Sequence, residues 1–534
     1  MHTENASHSR HYRVVIVGAG PGGLQLAYFL GRAGIEYILV ERAPSAGSFF
    51  ERFPIHRTLL SINKVNTGFT DATKNLRWDW NSLLSDDPAL RFSEHDGSFF
   101  PAADSLVRHL REFCSRAGIN PLFNCNVSDI AKVRDQFQLT TQQGMLRCDF
   151  LVMATGTSLP YIPAIDGAEL AETYFDLDPT QESVNKDILI VGKGNAALET
   201  AWALLPDAAY IHVISPKVLK MAWRSHFPGD VRQVNSPFVE TFFLKQQGAV
   251  LNGTICKIER SGQRFQVTIR WSENAAVVTH IYDRVILCTG FRFDTSVFEP
   301  HSTPKLMDNG KLPDLTPSWE SVNIPGLFFC GALMQANGYK KSAAPFVHGI
   351  RYNCLTLSRL LSSRVTGCDY PWTTVESTAG ALFARIDERV RVASSIWNMY
   401  DSLCDAFIYS PESETFRHLE DVPIEILSLS PQYKSTCRIE LRFTYTRPED
   451  PTERIKFTPS GLLHPALVFF CAGRFVGECH MYEDVYAEWK AADGLRGKFT
   501  EALADYLEKL GAPTTDLLEV RASIAPVSGD LSAA

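Results

Sequence analysis

Arg13-Val14-Val15-Ile16-Val17-Gly18-Ala19-Gly20-Pro21-Gly22-Gly23 decides how this chain is read. The β-branched run Val14 to Val17 has the continuous apolar character of a buried parallel strand. Leu24 to Arg32 has helical composition, and Gly34 is its stop signal. Tyr37 to Val40 is a second strand with Glu41 at its end. Each glycine has a physical task. Gly18 permits a tight turn, Gly20 lets the backbone approach a pyrophosphate, and Gly23 lets helix and strand pack closely. The helix N-terminus offers free N–H groups and a partial positive charge. Glu41 can accept both hydroxyls of a ribose, with Arg42 beside it. A glycine-rich turn alone would be weak evidence, but strand, glycines, helix, strand and acid all fall in place. Pro21 and Gly22 within the turn suit FAD better than NAD, by analogy with known flavoproteins.

The pattern recurs. Asp187 to Val191 is a strand, Gly192-Lys193-Gly194-Asn195-Ala196-Ala197 a turn, Leu198 to Leu205 a helix, and Tyr210 to Ile214 a strand ending at Ser215. The interval from Gly18 to Glu41 equals that from Gly192 to Ser215, which predicts two dinucleotide sites. Ala197 fills the third small position, which the fingerprint allows. Ser215 replaces the acid, and Lys217, Lys220 and Arg224 follow. An acid would repel a ribose 2′-phosphate, whereas a hydroxyl with cations binds it, so NADPH is expected here. Leu151 to Gly156, Val285 to Gly290 and Gly326 to Gly331 read as strands that return the chain to the first domain.

The expected fold is α/β. It has an FAD-binding domain in two parts, 12–175 and 285–370, an inserted NADP-binding domain at 176–284, an α+β region at 371–520, and a disordered tail at 521–534. Within the C-terminal region a helical stretch from Thr378 to Leu403 is expected. Strands near Ile439 to Tyr445 and Ala466 to Phe470 and a helix from Leu495 to Leu510 should follow it.

Composition narrows the partners. The 534 residues include 45% hydrophobic and 21% charged, with a net charge of −8, so the basic footprint of a nucleic-acid binder is missing. No apolar run of about 18 residues is present, so no membrane span is expected. The 12 cysteines contain no C-x-x-C, which argues against zinc knuckles and thioredoxin-type motifs, and no metal is expected. A cytoplasmic location is expected.

The polar candidates are scattered. Thr155-Gly156 and Thr289-Gly290 bring backbone to strand C-terminal ends, where α/β sites form. Val127 and Gly331 are expected at the FAD site, and His56 and Arg57 are expected to grip it. Asn63, Lys64, Asp79 and His348 are the catalytic candidates, although each alone is an ordinary structural residue. A disulfide reductase of this architecture needs two cysteines beside the flavin, and the chain has no closely spaced pair.

These residues resemble the FAD-dependent oxidoreductase domain-containing flavoproteins of the endoplasmic reticulum, within the pyridine-nucleotide oxidoreductase and flavin monooxygenase superfamily. The resemblance rests on His56-Arg57-Thr58-Leu59 with Ser61-Ile62-Asn63-Lys64, Asn75 to Leu84, Phe100-Pro101, Gly194 to Ala201, and Tyr339 to Ala343 with His348 to Tyr352. It covers roughly Arg13 to Ile424. Three departures qualify it. The chain is expected to lack the secretory leader and the retention tail of the reticulum proteins. Ala332 follows Gly331 where many relatives have Asp, and Tyr174 to Asp187 lacks the histidine of common flavin monooxygenases.

The resulting expectation is an FAD enzyme reduced by NADPH. Molecular oxygen would be the acceptor, and a flavin hydroperoxide would oxygenate a small molecule, for example at an amine nitrogen. The alternatives are electron transfer to a disulfide or partner protein without oxygen insertion, and a cofactor-binding interaction protein that docks through residues 371–534. The sequence leaves the oligomeric state open.

Overall fold

A computed structural model describes residues 10–246, 248–338, 340, 342–445, 462–481, 488–489 and 493–510. The tail expected to be disordered, 521–534, lies outside them. The chain divides into two compact units, one from Met1–Val65 and Asp79–Arg351, the other from Asn66–Trp78 and Tyr352–Ala534.

The first unit is built on two sheets. One runs in the order Tyr37–Val40, Arg10–Val17, Gly144–Met153, Gln136–Thr141, Val127–Val133, with Leu327–Phe329 also paired to Gly144–Met153. Val14 to Val17 lie parallel to Tyr37 to Val40 and to Phe150 to Met153. All four are buried, as a strand covered on both faces requires. Helix Pro21–Arg32 returns between the first two strands, and Gly34 just past its end takes a left-handed φ of 68°.

The second sheet runs Val277–Tyr282, Arg264–Trp271, Ala249–Ser261, Tyr210–Ser215, Asp187–Val191, Arg284–Leu287, Glu172–Thr173. Here one expectation is corrected. Arg284–Leu287 does not return to the first sheet; it pairs in parallel with Asp187–Val191. The pairing sets the second glycine turn against Cys288 as the first is set against Ala154. Cys288 N–H donates to Val191 O at 2.8 Å, and Ala154 N–H donates to Val17 O at 2.8 Å.

The second unit is an antiparallel sheet ordered Thr373–Glu376, Thr415–Pro423, Leu403–Ser410, Arg438–Tyr445, Leu463–Cys471, Arg474–His480. The helical stretch expected to reach Leu403 instead breaks into Ala379–Val392 and Ser395–Asn398. Arg77 explains the break. Its buried guanidinium donates from Nε to Ala393 O at 3.0 Å and from Nη2 to Val390 O at 2.7 Å, taking the carbonyls that another helical turn would use. Its flat face lies 4.6 Å from the centre of the Trp397 ring. Arg389 then bonds Asp405 and Asp421, tying this helix to the adjacent strands Leu403–Ser410 and Thr415–Pro423. Among the described residues, no helix is long and apolar enough to cross a membrane.

Candidate cofactor and active site

The first glycine turn separates packing glycines from an open one. A Cβ on Gly18 would lie 2.7 Å from Ala154 O, and one on Gly23 would lie 1.9 Å from Gly18 O. Gly18 also has φ 109°, which an L side chain rarely adopts. Gly20 differs: a Cβ there meets nothing within 4 Å. It is the N-cap of helix Pro21–Arg32, and no side chain caps the first N–H groups. The result is a cradle with orphan donors beneath it, which fits a pyrophosphate.

Glu41 is held rigidly beside this cradle. It is buried, with Oε2 accepting Ala19 N–H at 2.7 Å and Oε1 accepting Ala43 N–H at 2.8 Å. A carboxylate has about four lone-pair sites, so two remain for ribose hydroxyls. Arg42 is exposed, and Val127 is buried at the start of a partly exposed strand, Val127–Val133. The Thr155 hydroxyl is buried without a hydrogen-bond partner among the described residues, and Gly156 beside it is open at φ 63°. Gly331 closes the other side. A Cβ on Gly22 would sit 2.5 Å from Gly331 Cα, so Gly22 must be bare, while Gly331 takes φ 73°, which an L side chain rarely adopts. Cys330, fully buried, donates its thiol to Gly22 O at 3.3 Å.

The second turn repeats the division. A Cβ on Gly192 would lie 2.3 Å from Cys288 O, while Gly194 faces open space as an uncapped N-cap. Ala197 is fully buried against the sheet. Ser215 Oγ donates to Lys217 O at 3.2 Å, and Lys217, Lys220 and Arg224 are exposed. Two further lysines join them. Lys193, within the turn, donates to the Oδ1 of Asn252, which sits opposite Ser215 in the sheet. Burial pulls its pKa down to about 8. Lys311 donates to Thr289 O at 3.3 Å and lies 3.8 Å from the centre of the Tyr161 ring. Burial, then Lys340 and Lys217, lower its pKa. Thr289 Oγ1 donates to Tyr161 O, and Gly290 is open at φ 86°.

Several expected site side chains are committed elsewhere. Asn195 Oδ1 accepts Arg232 N–H at 2.9 Å and Asn235 Nδ2 at 3.1 Å, while its Nδ2 donates to Gly229 O and Asp230 O. Its side chain therefore holds a loop; its place at the helix start serves a ligand through backbone. Arg57 pairs with Asp104 at 2.6 Å. His56 Nε2 lies 3.3 Å from Thr200 Oγ1, and burial lowers its pKa. Asn63 donates its amide to Asp96 O and Ser98 O. The Asp79 carboxylate accepts the N–H groups of Asn81 and Ser82 and the Ser82 hydroxyl, an internal cap. Lys64 is exposed.

His348 is different. It is 1% exposed, it stacks on Trp80 with ring centres 4.1 Å apart, and its Nδ1 has no partner among the described residues. Burial first, then Arg351 and Arg232, hold its pKa well below the usual value, so the ring is neutral. Arg232 lies over the same Trp80, 4.8 Å from the ring centre, with a buried Nη1 that lacks a partner.

Residues 15–331 match the family model described as pyridine nucleotide-disulphide oxidoreductase. The FAD-dependent oxidoreductase domain-containing protein 2 of Mus musculus is 35% identical over 452 residues, 78% of this chain and 67% of the mouse protein. The chain belongs to this flavoprotein family. Senecionine N-oxygenase of Tyria jacobaeae is 24% identical over 339 residues, 60% of this chain and 66% of that protein. The structure of bacillithiol disulfide reductase Bdr (YpdA) from Bacillus cereus shares the fold with a TM-score of 0.51 and 18% identity, covering 66% of this chain and all of that one.

The family's cofactors are FAD and NADPH, and the two turns fit them. The open Gly20 cradle, Glu41 and the orphan Thr155 hydroxyl would hold FAD. The open Gly194 cradle, Ser215, Lys193, Lys217, Lys220 and Arg224 would hold NADPH. Lys193, Lys311 and Arg232 are site residues that the sequence did not single out. Only Lys193 carried a signal, as the one cation inside a glycine turn.

Proposed function

We propose that this flavoprotein oxidoreductase is an NADPH-dependent monooxygenase that oxygenates a small molecule at an amine nitrogen. The observation that carries this reading is the chemistry around the first turn. Cys330 is the thiol set against it, and its hydrogen is spent on Gly22 O. A relay of electrons by thiol–disulfide exchange needs two cysteines side by side, and the pair the structure sets in contact, Cys437 and Cys471, lies in the second unit. The related N-oxygenase supports the oxygen-transfer reading, whereas the family's disulfide reductases keep the rival open to test.

Bound FAD supplies the oxygen chemistry once NADPH has reduced it. The protein's part is to bind, orient and exclude water. The orphan N–H groups at Gly20 and Gly194 grip the pyrophosphates, and the lysines around Ser215 select the phosphorylated ribose. His348, kept neutral, offers Nδ1 as a hydrogen-bond acceptor to a substrate lying near Trp80. Arg232 sets a fixed positive charge over that ring.

The test follows NADPH oxidation and oxygen uptake together across a panel of tertiary and secondary amines, before and after complete thiol alkylation. Coupled consumption that survives alkylation is the expected result. Loss of activity on alkylation together with reduction of a model disulfide would establish the reductase instead.

A further inference from the structure

The sequence spaces no two cysteines closely, yet the fold of the second unit sets one pair side by side. Arg438–Tyr445 and Leu463–Cys471 are antiparallel, with Arg438 opposite Phe470. One step outward, Cys437 faces Cys471. Directly opposed residues on such strands have Cβ atoms about 4.5–5.5 Å apart, close to the spacing a disulfide takes. The two sulfurs are 2.9 Å apart, and both cysteines are free thiols. A bonded pair sits at about 2.04 Å, so less than an ångström of closure separates this contact from a bond.

The surroundings distinguish the two sulfurs. Cys437 is half-buried, whereas Cys471 is buried. The backbone N–H of Ala472 donates to Cys437 Sγ at 3.3 Å. Burial, then the neighbouring Cys437 thiol, pushes the Cys471 thiol up to about 12. The tight turn behind the pair is fixed. Gly473 takes φ 76°, a Cβ there would strike Lys434 O, and its N–H donates to Thr436 O at 3.1 Å. From the helix Asp493–Leu510, Tyr506 donates its hydroxyl to Phe470 O at 2.6 Å, next to Cys471. The pair therefore sits in a rigid frame with one accessible sulfur and one sheltered sulfur.

We infer that Cys437 and Cys471 form a reversible dithiol–disulfide couple that exchanges with small disulfides of the glutathione type. Cys437, as thiolate, attacks one sulfur of the small disulfide, forming a mixed disulfide and expelling one thiol. Cys471 gives up its proton and attacks the Cys437 sulfur, which closes the protein disulfide and expels the second thiol. Two cysteine sulfurs lose two electrons in all, the small disulfide gains them, and the two cysteine protons leave on the released thiols. The couple is independent of the monooxygenase reading, because it uses neither dinucleotide site.

The experiment equilibrates the full-length, flavin-loaded protein in glutathione buffers from fully reduced to fully oxidised. Samples are quenched in acid, alkylated, digested and mapped by mass spectrometry. The exposed Cys368 serves as the control for glutathione reactivity. The expected result is a linked peptide holding Cys437 and Cys471, two hydrogens lighter than the dithiol, that becomes the major form as the buffer is oxidised and reverts on reduction. Oxidation should raise the melting temperature by several degrees. In Cys471→Ser, Cys437 should instead keep glutathione as a stable mixed disulfide, with flavin content unchanged. The inference is overturned if both cysteines remain alkylatable in the most oxidising buffer while Cys368 is modified. It is also overturned if Cys437 links to a different cysteine, or if wild-type Cys437 retains glutathione as fully as the Cys471→Ser variant does. Mapping the wild type needs no variant to fold.

Discussion

Gly20→Ala and Gly23→Ala should separate cofactor binding from folding, although the positions are three residues apart. At Gly20 the backbone has φ −79°, which alanine adopts freely, and a new Cβ meets no protein atom within 4 Å. Alanine is a poorer N-cap than glycine by roughly 0.5–1.5 kcal/mol. Reduced freedom of the unfolded chain returns about 0.4–1 kcal/mol. The flavin-free fold should then change by less than about 1 kcal/mol. The methyl enters the cradle instead, and overpacking against a bound pyrophosphate costs about 1–3 kcal/mol, roughly 5- to 150-fold in FAD affinity. At Gly23 the same methyl would sit 1.9 Å from Gly18 O, so strand and helix must part. That cost of about 1–3 kcal/mol falls on the fold, which lowers Tm by several degrees. Flavin per polypeptide, FAD titration by fluorescence quenching and the Tm of flavin-stripped protein read both effects. The reasoning is refuted if Gly20→Ala binds FAD as tightly as wild type, or if it lowers the stripped protein's Tm as much as Gly23→Ala does.

Other outcomes follow from the same geometry. Lys193→Ala should raise the KM for NADPH roughly tenfold or more, as loss of a charge-assisted contact of about 1.5–3 kcal/mol implies, and leave NADH nearly unchanged. Because the Lys193 pKa is lowered to about 8, its charge is present below that pH and is lost as pH rises through it. The wild-type KM ratio of NADPH to NADH should therefore rise above pH 8, and a flat ratio would remove Lys193 from the site. Glu199 is half-buried and accepts the Tyr174 hydroxyl, and desolvation raises its pKa from 4.5 to about 7. Its raised folded pKa favours the native state at low pH, and that contribution is lost as pH climbs from about 4.5 through 7. At 1.36 kcal/mol per tenfold change in proton affinity, Glu199→Gln should gain ~3 kcal/mol relative to wild type at pH 8 and almost nothing at pH 4; equal Tm differences at both would contradict this. Cys330→Ala should keep most NADPH oxidation, since its thiol donates to Gly22 O and holds the turn. Collapse of turnover with flavin content intact would make that sulfur catalytic.

The parts of the fold legible in sequence are those governed by local physics. Val14 to Val17 and Ile188 to Val191 are apolar on both faces, and only a covered parallel strand uses such a run. Gly18 and Gly23 announce their turn because no side chain tolerates their contacts, and Gly20 because a bare position keeps the cradle open. Tertiary placement was less legible. Val285 to Leu287 is equally apolar in either sheet, so its sequence could not say which sheet it joins. Asp79 and Asn63 look like catalytic residues in one dimension, yet neighbouring backbone groups absorb their hydrogen bonds. Lys311 reaches the second site only because its loop packs on Tyr161. The Cys437–Cys471 contact depends on the register between strands whose cysteines are 34 residues apart, which spacing alone cannot give.

The most direct test of the central claim supplies isotopically heavy molecular oxygen to the enzyme with NADPH and an amine that stimulates its consumption. The account predicts a product heavier by one labelled oxygen atom, with one NADPH oxidised per product formed. An unlabelled product, or NADPH oxidation that proceeds without oxygen while a disulfide is reduced in equal amount, would contradict it.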